Sequence, residues 1–151
     1  MNIIETRKLS RWYGMADGVH GMELTVPEGS FCVLLGSSGS GKSTATKLLE
    51  NLLRPSEGEA RVLGVDSRKL GPKELAQIGY AADDQVLPME LTVPEWVNYC
   101  RPFYPTWDLA LERTLLKQFA LPLDRKLRLI SRGMRVKAAL LTVIAYRPKL
   151  V

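Results

Sequence analysis

The residues best suited to chemistry are Leu34-Leu35-Gly36-Ser37-Ser38-Gly39-Ser40-Gly41-Lys42-Ser43-Thr44. Gly36 to Ser43 satisfies the spacing G-x-x-x-x-G-K-[ST]. Glycines at 36, 39 and 41 let a backbone wrap closely around a phosphate chain, with several N–H groups turned inward. Lys42 supplies a point charge for the terminal phosphates, and the Ser43 hydroxyl is a ligand for Mg²⁺. A flexible Gly/Ser loop with a chance lysine needs no particular flanks, whereas this loop has both flanks that the chemistry requires. Before it, residues 31–35 are apolar in succession, as in a central parallel strand covered on both faces. After it, residues 42–53 have the pattern of a helix, with Ala45, Leu48, Leu49 and Leu52 forming its buried stripe. The positive end of that helix dipole falls on the loop. These residues imply a site for a nucleoside triphosphate.

The chain has 151 residues, enough for one domain with a modest core. Its 46% hydrophobic and 25% charged residues are those of an ordinary soluble globular protein. The net charge of +5 is spread without a block of like charge, which favours a solvated surface over a nucleic-acid partner. Cys32 lies in the apolar run and Cys100 in a helix-like stretch, so two buried free thiols in a reducing cytosol are expected. His20 stands alone in a turn-like stretch with no partner motif. The longest apolar run, residues 138–146, is far shorter than the roughly 20 residues that cross a bilayer.

Residues 3–9 and 22–26 read as short strands, the second with Met22, Leu24 and Val26 on one face. Between them stand Trp12 and Tyr13, closed by Gly14. Pro27-Glu28-Gly29 is a turn, residues 60–63 and 78–81 are further short strands, and residues 72–77 form a brief helix. Beyond residue 83 the chain becomes helical. Thr92 and Glu95 make a capping box with Pro94 in the first turn, starting a helix that runs to about residue 104. Asp108 caps a second helix whose Leu109, Leu116, Phe119 and Ala120 face inward. A third, over residues 132–146, is largely buried, and Leu150-Val151 has the character of a new buried strand.

The ordered set of aromatic-Gly, phosphate loop, Gly79-Tyr80 strand, helical insertion and Ser131-x-Gly133 before a buried helix resembles the ATP-binding subunit of ABC transporters. It looks most like the bacterial subgroup that serves export-type permeases and some resistance systems. The resemblance covers essentially the whole chain. It implies an α/β fold: a P-loop NTPase core with an antiparallel β subdomain and a helical insertion, its C-terminal strands missing. Residues 1–83 would be the β subdomain and core, 84–146 the helical subdomain, and 147–151 the start of the Walker B strand. Tyr13 matches the aromatic that stacks on adenine; an ordinary hairpin aromatic is the plainer reading of that position. Ile130-Ser131-Arg132-Gly133-Met134-Arg135 matches the signature usually written Leu-Ser-Gly-Gly-Gln. Arg132 replaces the first glycine and Met134 the glutamine, while the hydroxyl of Ser131 and the bare backbone of Gly133 are kept. A plain helix N-cap at Ser131 is the alternative. In the family these residues hold the γ-phosphate in trans, so the resemblance implies a head-to-tail dimer of ATP-binding subunits.

The same resemblance implies ATP and Mg²⁺ as ligands, a membrane permease as partner, and a location at the inner face of the cell membrane. The family's glutamine position holds Asp83, a possible second Mg²⁺ ligand beside Ser43, and Gln85 serves equally if the loop shifts. The strand ending in Asp-Glu and the switch histidine have no counterpart, which implies a chain that is catalytically incomplete and poorly folded without its missing strands. Two other classes stay open at this point: a nucleotide-binding regulatory protein that never hydrolyses, and a different P-loop enzyme such as a small-molecule kinase.

Overall fold

A computed structural model describes residues 1–14, 16–82 and 85–151. The chain divides into two compact units, Met1–Leu75 and Ala76–Val151.

The first unit is built on a long hairpin. Strand β1 (Asn2–Tyr13) pairs antiparallel with β2 (Ala16–Pro27), and β1 pairs on its other side with β3 (Glu57–Val62). A short β4 (Val65–Asp66) completes a four-stranded sheet in the order β2-β1-β3-β4. The hairpin strands are longer than the two expected short ones, so Trp12 and Tyr13 belong to β1, with Gly14 turning in the left-handed region at φ 64°. The reason is that the ladder tolerates register shifts, and two buried hydroxyls satisfy what the shifts leave unpaired. Thr6 Oγ1 donates to the Met22 carbonyl and accepts from Leu24 N, both at 2.8 Å. Ser10 Oγ accepts from Gly21 N at 2.8 Å and donates to the Lys8 carbonyl at 3.1 Å. Met22, Leu24 and Val26 alternate with exposed Glu23 and Thr25, as their spacing predicts. His20 lies in β2, not in a turn, and its Nδ1 accepts from Trp12 Nε1 at 3.1 Å.

Helix α1 (Lys42–Leu49) packs on β2 and β3 through Ala45, Leu48 and Leu49. It stops before residue 53 because Asn51 enters the left-handed region at φ 60°, while Leu52 N and Leu53 N both return to the Lys47 carbonyl. Leu52 is consequently exposed and leaves the predicted stripe. The expected central strand at residues 31–35 is also absent. That segment has no regular secondary structure and no ladder partner among the described residues, and Phe31 is 94% and Leu35 88% exposed. A parallel strand exists only through its neighbours, and an apolar run cannot create them. Cys32, in the same segment, is exposed rather than buried. Beyond β4, the predicted helix at 72–77 shrinks to α2 (Pro72–Leu75).

The second unit packs α3 (Val93–Cys100), α4 (Leu109–Gln118) and α5 (Arg132–Ile144) around Val93, Val97, Leu115, Leu127, Ala138 and Leu141. The capping box is formed: Thr92 Oγ1 accepts from Glu95 N, and the Glu95 carboxylate accepts from Thr92 N at 2.7 Å. Asp108 caps α4 through Ala110 N and Leu111 N, at 2.8 and 2.9 Å. The inward face of α4 is Leu111, Leu115, Leu116 and Phe119; Leu109 and Ala120, expected inside, are exposed. Glu112 is the buried charge of this unit. It accepts from Arg101 Nη2 at 2.9 Å and from Trp107 Nε1 at 2.6 Å, so its carboxylate is paired and hydrogen-bonded. The predicted strand at 78–81 is reduced to one parallel bridge, Ile78 to Leu150, with Gly79 N donating to the Leu150 carbonyl at 2.7 Å. Gly79 is required there, since a Cβ would lie 2.5 Å from Val143 Cγ1 of α5.

Candidate nucleotide site

Two glycines shape the loop before α1. Gly39 and Gly41 take φ of 83° and 87°, a region costly to any residue with a Cβ, and a turn closes between them and Ser37 as Ser40 N donates to the Ser37 carbonyl. Gly36 lies so close to Ser40 that a Cβ on it would sit 2.5 Å from the hydroxyl. The Lys42 ammonium folds back into this ring of backbone. Its Nζ donates to the Gly36 and Ser37 carbonyls at 2.9 and 2.7 Å and to Ser40 Oγ at 3.2 Å. Among the described residues these acceptors are all neutral, so the charge of Lys42 is hydrogen-bonded but not balanced by a carboxylate.

Helix α1 adds to that positive field. Gly41 is its N-cap and makes no side-chain cap, which leaves the N–H groups of its first turn without side-chain acceptors. Ser43, exposed in that turn, presents its hydroxyl, and Thr44 is half-buried behind it. An ammonium with no carboxylate partner among the described residues, uncapped helix N–H groups and a hydroxyl fit a phosphate chain with a bound Mg²⁺. Ser37, Ser38 and Gly39 are exposed, so this concavity is open to a ligand.

The loop meets the hairpin at Gly41, where a Cβ would lie 2.7 Å from the Gly18 carbonyl and 3.1 Å from Val19 Cγ2. Val19 pairs with Arg11 across β1 and β2, and Tyr13 follows two residues later, 42% exposed at the hairpin end. The guanidinium carbon of Arg11 lies 5.2 Å from the centroid of the Tyr13 ring. Nothing in the motif spacing marks Arg11; its one sequence signal is that i and i+2 share a strand face. Ser40 as an acceptor for Lys42 was likewise not legible, since its role arises from how the loop folds on itself.

The remaining residues lie in the second unit. Ser131 is the N-cap of α5, its Oγ accepting from Met134 N at 3.2 Å, and among the described residues its O–H has no acceptor. Gly133 is exposed, and a Cβ there would approach nothing nearer than Ser131 Oγ at 3.9 Å. Arg132 is exposed, whereas Met134 is half-buried against the helical core. Asp83 lies outside the described residues; Gln85 is exposed, its N–H donating to the Ala82 carbonyl at 3.3 Å. Among the described residues no cluster of His, Cys, Asp and Glu is arranged to hold a metal by itself, and no helix is long and apolar enough to cross a membrane.

Comparison with known proteins follows the same line. The family described as ABC transporter matches residues 19–151. The ABC transporter ATP-binding protein YtrB of Bacillus subtilis is 28% identical over 99% of the chain, and the phosphonates import ATP-binding protein PhnC 2 of a Synechococcus strain is 30% identical over 95%. The chain spans 51% of the length of the first and 60% of the second. A solved structure described as the ATP-binding subunit of an ABC transporter superposes with a TM-score of 0.82 at 26% identity, covering 97% of this chain and 63% of that one.

Proposed function

The chain belongs to the ABC transporter family, and from that premise we propose that it is the ATP-binding part of a transporter, coupling ATP hydrolysis in the whole protein to movement of cargo through a separate permease. The observation that carries this reading is Lys42, an ammonium with only neutral acceptors among the described residues, inside a glycine-shaped loop at an uncapped helix start. In this reading Gly36 to Gly41 wrap the phosphates, and Lys42 leaves its carbonyl partners for the terminal phosphate oxygens. Ser43 and Thr44 hold the start of α1 against the phosphate chain, with the Ser43 hydroxyl directed at Mg²⁺. Mg²⁺, when bound, neutralises charge on the terminal phosphates. Tyr13 stacks on adenine. By resemblance, Asp83, or Gln85 if the loop shifts, takes the family's glutamine position as a second ligand for Mg²⁺.

Ser131, Arg132, Gly133 and Met134 act in trans on the nucleotide of a second ATP-binding subunit. The O–H of Ser131, without an acceptor among the described residues, and the open backbone at Gly133 support this. The permease binds the surface that includes α3 and the turn after it, where Trp96, Tyr99 and Phe103 form a row of rings with centroids 5.8 and 5.7 Å apart and Tyr99 and Phe103 stay exposed. An export-type permease is the finer reading, taken from the resemblance alone, and in that reading the chain works at the cytoplasmic face of the membrane. Within the chain, we take residues 1–83 as β subdomain and core, 84–146 as helical subdomain and 147–151 as the approach to a further strand.

Sedimentation velocity with ATP and Mg²⁺ tests the trans assignment. The wild-type chain is expected to dimerise with nucleotide, and Ser131→Arg to remain monomeric while binding ATP as well as before. Loss of ATP binding by monomeric Ser131→Arg would show that Ser131 acts on its own chain's nucleotide.

A further inference from the structure

The ring at Tyr13 has a partner that the motif does not supply. We propose that Arg11 is the positioning residue of the base-binding platform: its guanidinium backs one face of Tyr13 and fixes the other for a purine. The inference rests on the reading of Tyr13 as the adenine contact. Three observations carry it. The guanidinium carbon stands 5.2 Å from the ring centroid, inside the roughly 6 Å range of cation–π attraction. The guanidinium is also anchored behind the ring, because Nη1 donates to the Arg54 carbonyl at 3.1 Å. Its Nε is buried with no hydrogen-bond partner among the described residues, so this arginine is held where its own hydrogen bonding is not satisfied.

Position gives the arrangement its meaning. Arg11 pairs with Val19, the residue that Gly41 of the phosphate loop abuts, so the strand position that carries the guanidinium is registered to the one that meets the loop. A cation on one face draws π density away from the other, which eases stacking of a second electron-rich ring there. Tyr13 remains 42% exposed, leaving surface for that ring. A tyrosine free to rotate at a hairpin end would have to be ordered by the base, whereas a backed one is ordered in advance.

Calorimetric titration of the full chain with ATP–Mg²⁺ and with tripolyphosphate–Mg²⁺ tests this. Arg11→Gln keeps a polar amide on the strand but removes the cation, and Arg11→Lys retains a cation. Arg11→Gln is expected to weaken ATP about three- to tenfold and to leave tripolyphosphate within about twofold. Arg11→Lys should recover most of that loss. In a Tyr13→Ala background, Arg11→Gln should have no further effect on ATP, because there is no ring left to position. Equal loss for both ligands, tighter ATP binding, or an additive loss in the double variant would overturn the role of Arg11. If Tyr13→Ala fails to separate ATP from tripolyphosphate, the platform reading itself falls, and the inference with it. If Tyr13→Ala separates them and Arg11→Gln does not, only the inference falls.

Discussion

Lys42 and Glu50 stand at opposite ends of α1, each holding its charge under constraint. The ammonium at the start is hydrogen-bonded by carbonyls and a hydroxyl, a state that a phosphate oxygen improves by adding the missing negative charge. The carboxyl at the end is half-buried, and burial pushes it up from 4.5 to about 7. A carboxyl that binds its proton more tightly in the folded chain stabilises the fold fully below its unfolded value, and that contribution is lost as pH rises through about 7. Glu50→Gln is neutral at every pH. We therefore expect thermal unfolding of the wild type to fall between pH 5 and pH 8 more steeply than that of Glu50→Gln, with the variant the more stable at pH 8. Identical slopes across that window would show that the Glu50 carboxyl is not held in the way described.

Elements were legible in the sequence where their signals are local. Thr92 and Glu95, Asp108 and Ser131 cap helices within three residues of themselves, and all three starts fall where those side chains place them. The phosphate loop is equally local, its form set by glycines at 39 and 41. Helix ends were harder: Asn51 in the left-handed region stops α1 against the run of apolar periodicity that continues to Leu52. Strands at 31–35 and 78–81 were not predictable from their own residues, because a strand is a property of its neighbours and an apolar run names no partner. The consequence at 31–35 can be measured. Phe31, Val33 and Leu35 are 94%, 59% and 88% exposed in a segment with no ladder partner among the described residues, an apolar surface open to self-association. Phe31→Lys combined with Leu35→Lys is expected to lower the concentration-dependent light scattering of the chain without changing its helical circular dichroism. Unchanged scattering would mean that self-association proceeds through another surface.

At the scale of the whole molecule, the proposed function gives each unit a different part of one chemistry. Met1–Leu75 holds the loop, the helix start and Tyr13; Ala76–Val151 holds the capped helix with Ser131 and Gly133 and the exposed rings of Tyr99 and Phe103. Family membership ties them together, and the transporter-level roles of both follow only if the first unit takes a nucleotide through Lys42. Calorimetric titration of the chain with ATP–Mg²⁺, wild type against Lys42→Ala, measures this directly. Removing charge-assisted hydrogen bonds worth about 2–3 kcal/mol should weaken ATP by about 30-fold or more, with the thermal melt unchanged because the Gly36 and Ser37 carbonyls lie exposed to water. ATP affinity equal in the two proteins, with both folded, would contradict the account.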